Sequence, residues 1–267
     1  MKAPRKCKLS LAALCLLAIA AGAAEPLVAT KPAGMVLVPA GLYTPLFRAE
    51  QDPKTIPVAA FYLDTVPVSN ADFLDFVRKN PKWRRSQVKR LFAESDYLKH
   101  WTSDLELGSN APAHSPVIYV SWFAAKAYAS SKQKRLPLTA EWEYAANASP
   151  SRVDGQNDPG FISTIRAWYA TPTPATLPGI GQGVPNYFGV YDLHGLVWEW
   201  VADFNTAMVT GDARADSGLD RQLFCGSGSE GAKDRNNFPA FMRYGFRSSL
   251  KASYTVHNLG FRCAKDL

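Results

Sequence analysis

The segment from residue 135 to 145 reads RLPLTAEWEYA, and it holds the clearest helix start in this 267-residue chain. Thr139 stands two residues after Pro137 and suits a helix N-cap, because its hydroxyl can accept a hydrogen bond from the first turn. Glu141 then places a carboxylate in that turn, where the positive end of the helix dipole favours it. Trp142 and Tyr144 supply an apolar face. The segment therefore predicts an amphipathic helix with Thr139 as its N-cap.

Two further helices are predicted upstream. Ser69 is followed three residues later by Asp72, which is the spacing of a capping box, and apolar residues at helical spacing continue to Val77. Ser121 opens the other helix, which ends in the polar stretch 130–134. Both serines are therefore expected to be N-caps.

Strand signals are few and short. The clearest are MVLVP at 35–39 and FYLD at 61–64, while turn residues dominate after residue 150. The stretch 170–184 is rich in Pro, Thr and Gly and predicts a long internal loop. The expected fold class is α+β with an unusually high loop content.

The first 24 residues have the layout of a secretory signal peptide. A basic start is followed by the apolar stretch 9–21 and then by small residues before Glu25. An apolar stretch of about 13 residues is shorter than the roughly 20 that a membrane span needs. We therefore expect domain boundaries of 1–24 for the leader and 25–267 for one mature domain, a periplasmic location, and no membrane span after cleavage.

The charge of the mature chain argues against nucleic acid as a partner. The sequence has 30 Lys and Arg against 23 Asp and Glu, and four of the basic residues lie in the leader. The remainder carries a net charge of about +3 without a long basic run, which is not typical of a nucleic-acid-binding surface.

Cleavage of the leader leaves two cysteines, Cys225 and Cys263. An oxidising compartment favours a disulfide between them. A reactive thiol pair or a copper site is the alternative.

Five ordered blocks spanning nearly the whole mature chain resemble the formylglycine-generating enzyme (sulfatase-modifying factor) family. They are GMVLVPAG at 34–41, FYLD with PVSNADF at 61–73, PV with VSW and RLPLTAEWEYA at 116–145, GVYDLHG with VWEW at 189–200, and NLGFRC at 258–263. The resemblance implies a single compact domain of the formylglycine-generating-enzyme fold. That fold is related to C-type lectin modules, has little regular secondary structure and often holds calcium.

The chain departs from this family at its reactive centre. The aerobic enzymes bind copper(I) through two cysteines on one short segment, and soft thiolates suit that ion. Alignment back from the block at 258–263 places these positions near Asp234 and Pro239. The copper-thiolate site is therefore predicted to be absent, and the chain is not expected to activate sulfatases.

Calcium binding is implied by the resemblance with one ligand changed. The asparagine of the family's GNVWEW block is Leu196 here. The Glu199 carboxylate, the carbonyl of Val197 and the Asn186 side chain still offer hard oxygen ligands for a structural calcium ion. The alternative is that the VWEW residues simply pack a turn.

The resemblance also implies which residues line a substrate groove. Ser227, Arg243, Arg247 and Asn258 are the predicted substrate-binding residues, since a guanidinium can hold a carboxylate or a peptide carbonyl. Each arginine has an alternative as a structural residue satisfied by loop carbonyls.

Three titratable residues near this groove are the candidates for proton transfer. His257 is the predicted general base, and Glu230 and Asp234 are the acidic candidates. His194, in a predicted turn, is expected to be structural.

Two classes of function follow. The first is an exported maturation factor or oxidase for a peptide or peptide-derived substrate, similar to the family branch that matures the pyoverdine siderophore chromophore. The alternative is a non-catalytic binding or accessory module for a metalloenzyme such as copper nitrite reductase.

Overall fold

The computed structural model describes residues 31–46, 52–205 and 237–267, all within one compact unit, 31–267. The strands are β1 (Met35–Val38), β2 (Gly41–Tyr43), β3 (Ile56–Val58), β4 (Phe61–Asp64), β5 (Trp198–Glu199), β6 (Leu259–Gly260) and β7 (Ala264–Asp266). The helices are α1 (Asn70–Lys79), α2 (Trp122–Ser131), α3 (Thr139–Ala146), α4 (Pro159–Ala170) and α5 (Phe238–Ser248), with a 3-10 turn at Pro81–Trp83. This mixture of short elements and long loops confirms the α+β expectation.

The strands form three small sheets. The largest has the order β1-β4-β7 and is antiparallel throughout, so β4 is its central strand. In β4, Phe61 lies opposite Val38 on one side and Asp266 on the other. A two-stranded antiparallel sheet joins β2 and β3, and a parallel pair joins β5 and β6. The first and last described strands are thus tied through β4.

Aromatic side chains form the centre of the core between α1, α2 and the chain near β6. Phe73 of α1 stacks on Tyr128 of α2, with ring centroids 5.8 Å apart. Phe261 meets Phe73 edge-on at 6.0 Å. Within the described ranges, no helix combines the length and the apolar character that crossing a membrane requires.

The predicted caps of α1 and α2 are confirmed. The Ser69 hydroxyl accepts a hydrogen bond from Asp72 N at 3.1 Å, and the Ser121 hydroxyl accepts one from Ala124 N at 3.2 Å. Because each cap depends only on residues within one turn, the local sequence is enough to identify it.

The predicted N-cap of α3 is wrong by one residue. Thr139 is the first helical residue, and Leu138 occupies the N-cap position. Glu141 accepts a hydrogen bond from Leu138 N at 2.8 Å, and the carboxylate of Asp203 accepts one from Thr139 N at 2.7 Å. A distant carboxylate therefore accepts from the first amide of the helix, and the Thr139 hydroxyl donates to that same carboxylate instead of capping the helix.

Candidate functional site

A cavity of about 270 Å³, which we call the first cavity, lies between β2, α3, α4 and the first turn of α5. Its lining combines apolar side chains with polar and charged ones, as ligand sites commonly do. The polar and charged lining residues are Tyr43, Thr44, Glu143, Tyr144, Asn147, Asp154, Gln156, His194, Asn237 and Arg243.

Helix α5 turns two arginines toward α3. The helix begins where the Asn237 side chain accepts a hydrogen bond from Ala240 N at 3.2 Å. Arg243 and Arg247 are four residues apart, so they lie on the same face of the helix. Both are buried. Their partner is Glu143 of α3, which is also buried.

One carboxylate therefore faces two cations. Arg243 donates to Glu143 from Nε at 2.9 Å and from Nη2 at 2.7 Å, and Arg247 donates from Nη1 at 2.5 Å. Both guanidinium groups also lie over the ring of Trp142, at 5.5 and 4.8 Å from its centroid. Burial alone would raise the pKa of Glu143, but the two guanidinium charges and their hydrogen bonds outweigh it and lower the pKa to about 2. The group of three carries a net positive charge.

Tyrosines complete this group. Arg243 Nη1 donates to the hydroxyl of Tyr169 at 3.2 Å, and that hydroxyl donates to the carbonyl of Pro239 at 3.3 Å. Burial raises the pKa of both Tyr169 and Tyr43, so both phenols stay protonated at neutral pH.

His194 lies on the wall of the first cavity as a neutral imidazole. Its Nε2 is 2.9 Å from the carbonyl oxygen of Ala146, which can only accept, so the proton is on Nε2. Nδ1 is then a lone-pair acceptor; it is buried and has no hydrogen-bond partner among the described residues. Burial, reinforced by the charge of Arg243, lowers the pKa of His194 to about 3.

A second cavity of about 610 Å³ shares part of this wall. Ala146, Phe161, Ile165 and His194 line both cavities. The remaining lining residues of the second cavity come from α4 and from the segments 148–158 and 183–193.

Another buried carboxylate, Glu199, lies outside the linings of both cavities. Arg262 donates to it from Nε at 2.8 Å and from Nη2 at 2.8 Å, and Trp142 Nε1 donates at 2.7 Å. Arg262 also donates to the carbonyls of Asp64 at 3.1 Å and Tyr191 at 2.8 Å. The charges of this pair balance, and its hydrogen bonds join five separate positions of the chain.

The residues predicted to bind calcium do not fit a calcium site in this arrangement. Both oxygens of Glu199 accept from Arg262, whose positive charge opposes a bound cation. Asn186 donates to the Ala145 carbonyl at 2.7 Å and accepts from two backbone amides of its own turn. In the described ranges, no group of three or more His, Cys, Asp or Glu side chains could hold a metal ion. The alternative reading of VWEW as packing therefore describes Glu199 better.

The predicted groove residues are only partly brought together. Arg243 lines the first cavity, but its guanidinium and that of Arg247 are held by a carboxylate rather than by loop carbonyls. His257 is exposed and Asn258 is half-buried, and neither lines the two cavities. The Asn258 backbone carbonyl accepts from Trp198 N at 2.8 Å, while its side-chain oxygen has no hydrogen-bond partner in the described part of the chain.

The other predicted residues of the groove segment, Ser227, Glu230, Asp234 and Cys225, lie outside the described residues. Cys263 is fully buried and forms no disulfide within the described residues, and burial raises the pKa of its thiol. The disulfide with Cys225 stays a prediction.

Of the two residues near which the family's copper cysteines were expected to align, Asp234 and Pro239, Pro239 is described. It lies in the first turn of α5 and lines the first cavity. A proline side chain offers no ligand atom, so the described part of this segment does not fit a copper-thiolate site.

Sequence reasoning missed Glu143 as the centre of the site. It stands between Trp142 and Tyr144 on the predicted apolar face of α3. A carboxylate that is buried in a core needs a cation or several hydrogen-bond donors near it. An acidic residue on an apolar helix face was therefore a signal in the sequence that such a partner exists.

The sequence of the chain is similar to those of known proteins. The description "Sulfatase-modifying factor enzyme 1-like domain" matches residues 21–267. Formylglycine-generating enzyme of Mus musculus is 29% identical over 298 residues, covering 91% of this chain and 77% of the mouse protein. Inactive C-alpha-formylglycine-generating enzyme 2 of Bos taurus is 28% identical and covers 86% of this chain and 87% of its own length.

Among solved structures, PvdO from Pseudomonas aeruginosa has a TM-score of 0.50 at 23% identity, covering 87% of this chain and 94% of its own. This likeness concerns the fold alone, and it confirms the expected architecture of short elements and long loops. With its sequence blocks, its fold and the match over residues 21–267, the chain belongs to the sulfatase-modifying factor (formylglycine-generating enzyme) family.

Proposed function

We propose that this protein is an exported, periplasmic maturation factor that acts on a peptide or peptide-derived substrate bound in the first cavity, and that it does not activate sulfatases. The observation that carries the proposal is the position of Pro239. Alignment back from the block at 258–263 puts it near one of the two places where the aerobic enzymes carry a copper cysteine, and it lines the first cavity. The region where the family carries its reactive cysteines thus adjoins a cavity suited to a ligand, and Pro239 brings no thiolate to it.

The lining of the first cavity suits a peptide. Asn147, Gln156 and Asn237 bring amide groups that can pair with a peptide backbone. Leu42 and Val153, which are 64% and 39% exposed, add apolar surface for a side chain. A peptide-derived siderophore precursor of the pyoverdine type is the substrate that we favour within this class.

Maturation can be tested in a deletion strain of the source organism. Mass spectrometry of periplasmic peptides and siderophores should reveal an immature species, which for a two-electron oxidation is two hydrogens heavier than the product. The intact gene should restore the product. Val153→Trp, which fills the first cavity, should not, whereas the exposed Ser163→Trp should. An unchanged profile in the deletion strain would reject the proposal.

Export and metal content are tested on the same protein. N-terminal sequencing of protein recovered from the periplasm should begin at residue 24 or 25. Metal analysis should find no stoichiometric copper, and a cysteine-containing sulfatase peptide should remain unmodified. Formylglycine in that peptide would contradict the proposal.

The second candidate is a non-catalytic binding or accessory module, for example for a metalloenzyme such as copper nitrite reductase. It is favoured by the state of the titratable groups in the first cavity. Glu143 is neutralised by two arginines, Tyr43 stays protonated and His194 stays neutral. If purified protein binds the immature species stoichiometrically but never converts it, this second function is correct.

A further inference from the structure

Positive charge is concentrated in the stretch 82–90, which reads KWRRSQVKR and which we call the basic segment. It has five lysines and arginines in nine residues and no acidic residue. The mature chain has 26 basic and 23 acidic residues, because four of the 30 basic residues lie in the leader. Without the basic segment, 21 basic residues remain against 23 acidic ones. The net positive charge of the mature chain therefore comes from one short segment.

The cations of the basic segment are not neutralised by ion pairs. Among the salt bridges that join described residues, none includes a residue of the basic segment. Four of its five cations are exposed, and the fifth is half-buried; they are Lys82, Arg85, Lys89 and Arg90, with Arg84 as the half-buried one. Arg85 donates to the carbonyl of Trp101 at 2.8 Å, which leaves its charge uncompensated. Exposed cations without counter-ions attract anionic partners from solution.

Part of the basic segment lines an open groove of about 920 Å³, which we call the basic groove. Three arginines line it, namely Arg84, Arg85 and Arg90. Its lining also includes two carboxylates, Glu94 and Asp104. Asp104 is held by Ser86, from which it accepts at 2.8 Å through the backbone amide and at 2.6 Å through the hydroxyl. Cations outnumber carboxylates in this lining, so the groove favours an anionic partner.

Large apolar side chains are exposed beside these cations. Leu91 directly follows Arg90 and is 74% exposed, and Leu105, which lines the basic groove, is 37% exposed. Phe92 is 36% exposed, and one edge of its ring meets Phe123 at 5.3 Å between centroids. A single exposed leucine is common on a protein surface and needs no explanation. Here the exposed apolar side chains alternate with unpaired cations on one stretch of chain.

This combination of side chains matches the chemistry of an anionic lipid surface. Lysine and arginine side chains bind the phosphates of the headgroups, and each contributes to the attraction as long as it stays within a Debye length. An exposed leucine gains free energy when it enters the boundary between headgroups and acyl chains. A soluble anion or a nucleic acid would use the cations alone and would offer no apolar layer to Leu91.

We propose that the basic segment, together with Leu91 and Leu105, is the surface through which this protein binds to an anionic lipid membrane without spanning it. The cations meet the headgroups and the leucines enter the interface. This binding does not depend on the reaction proposed for the first cavity, since no residue of the basic segment lines that cavity.

Vesicles of two compositions test the proposal. The protein is used without residues 1–24, because that basic and apolar segment would bind lipid by itself, and the described fold lies in the compact unit 31–267. In co-sedimentation at low salt, vesicles of phosphatidylglycerol and phosphatidylcholine should bind it at least about tenfold more tightly than vesicles of phosphatidylcholine alone. Added salt should reduce that preference. Equal binding to both compositions, or binding to neither, would overturn the proposal.

A pair of charge reversals locates the surface. Lys89→Glu combined with Arg90→Glu changes two exposed residues and should lower the affinity for the anionic vesicles at least about tenfold. Lys54→Glu combined with Arg152→Glu is the matched control, because it changes the net charge equally at two exposed residues outside the basic segment. The control should keep the wild-type affinity. Equal losses in both double variants would show that net charge, rather than this surface, attracts the lipid, and would refute the assignment.

A change at Leu91 separates a lipid interface from any other anionic partner. Leu91→Ser should lower the affinity for the anionic vesicles about fivefold, because it removes apolar area that enters the membrane. Leu267→Ser changes another strongly exposed leucine, 71% exposed and at the end of the chain, and should have no effect. If Leu91→Ser binds the vesicles like the wild type, or if a DNA duplex binds the wild type more tightly than the vesicles do, the partner is not a lipid surface and the proposal is wrong.

The wild-type protein provides a readout that needs no variant. Hydrogen–deuterium exchange of the backbone amides in 84–92 should slow when anionic vesicles are added and should stay unchanged with phosphatidylcholine vesicles. Exchange in α4 should not respond to either. Protection of α4 instead of 84–92 would place the contact on another face of the protein and refute the assignment.

Discussion

Glu199 and Glu143 are both buried and both paired with arginine, yet they are built differently. Glu199 shares its charge with Arg262 alone, and that arginine also donates to backbone carbonyls; both side chains are 0% exposed. Glu143 faces two arginines of α5 and lines the first cavity. Glu199 and Arg262 have balanced charges and lie away from both cavities, whereas the group of Glu143 and two arginines has a net positive charge beside the first cavity.

The difference teaches how to separate structural ion pairs from candidate functional ones. Removing one partner of a buried pair leaves a charge without compensation, which is far more costly than replacing the whole pair with apolar residues. A balanced pair such as Glu199 with Arg262 therefore mainly stabilises the fold. An ion-pair group with a net charge beside a cavity can still attract a ligand of opposite charge into that cavity, so it is a candidate functional group.

The largest effect is expected where the balanced pair is broken. Arg262→Met should destabilise the protein by about 3–5 kcal/mol, because it leaves Glu199 buried and unpaired. Urea unfolding followed by circular dichroism should show a midpoint far below that of the wild type. A normal urea midpoint would show that the closed pair contributes no stability and would remove the basis of the comparison.

Glu143→Gln should cost about 3 kcal/mol at pH 7, since about 1.4 kcal/mol accompanies each pKa unit. Its pKa is lowered to about 2 in the folded protein, so the contribution of its charge is present above the pKa of the unfolded state. That contribution is lost as the pH falls toward 2. The stability gap between wild type and variant in urea should therefore narrow below about pH 4.5. A gap that is independent of pH would contradict the charge assignment.

The two arginines of α5 should differ from each other. Arg243 donates to Glu143 through two of its nitrogens and to Tyr169, whereas Arg247 donates to Glu143 from Nη1. Either substitution leaves Glu143 paired with one arginine, so the difference lies in the hydrogen bonds that are lost. Arg247→Met should cost about 1 kcal/mol, while Arg243→Met should cost about 2–3 kcal/mol. Urea unfolding of both variants checks the order, and the reverse order would show that the number of hydrogen bonds does not set the cost.

The smallest loss of stability is expected from breaking an ion pair that is partly exposed to solvent. Arg135 pairs with Glu141 and Asp266, and its side chain is 32% exposed. Arg135→Met should cost at most about 1 kcal/mol, with less difference at high salt, because water and ions screen this pair. The same urea measurements in low and high salt test it. A loss of unfolding free energy as large as that of Arg262→Met would mean that burial does not determine how much an ion pair contributes to stability.

Local signals allowed part of this fold to be predicted. The caps at Ser69 and Ser121 and the strand at 61–64 each depend on residues within a few positions, so the sequence alone identified them. Helices α4 and α5 were missed, although Asp158 and Asn237 each stand just before a proline-containing first turn. That combination is a start signal, and the surrounding turn residues concealed it.

The candidate site was beyond local reasoning. Arg243 was expected at a substrate groove, but its hydrogen-bond partner Glu143 lies 100 positions earlier in the chain. Likewise, Thr139 was expected to cap α3 itself, but a carboxylate 64 positions away binds its amide. Helical or strand periodicity carries no information on contacts at such separations, because they are created by tertiary packing.

The central position of β4 has a consequence for biosynthesis. One of its neighbours, β1, is made before it, but the other, β7, is made about two hundred residues later, together with the arginine that neutralises Glu199. A growing chain therefore holds an incomplete sheet and an uncompensated carboxylate until residues 262–266 leave the ribosome. Such a chain cannot reach its final packing early, so the three-stranded sheet is completed only when synthesis of the described residues is finished.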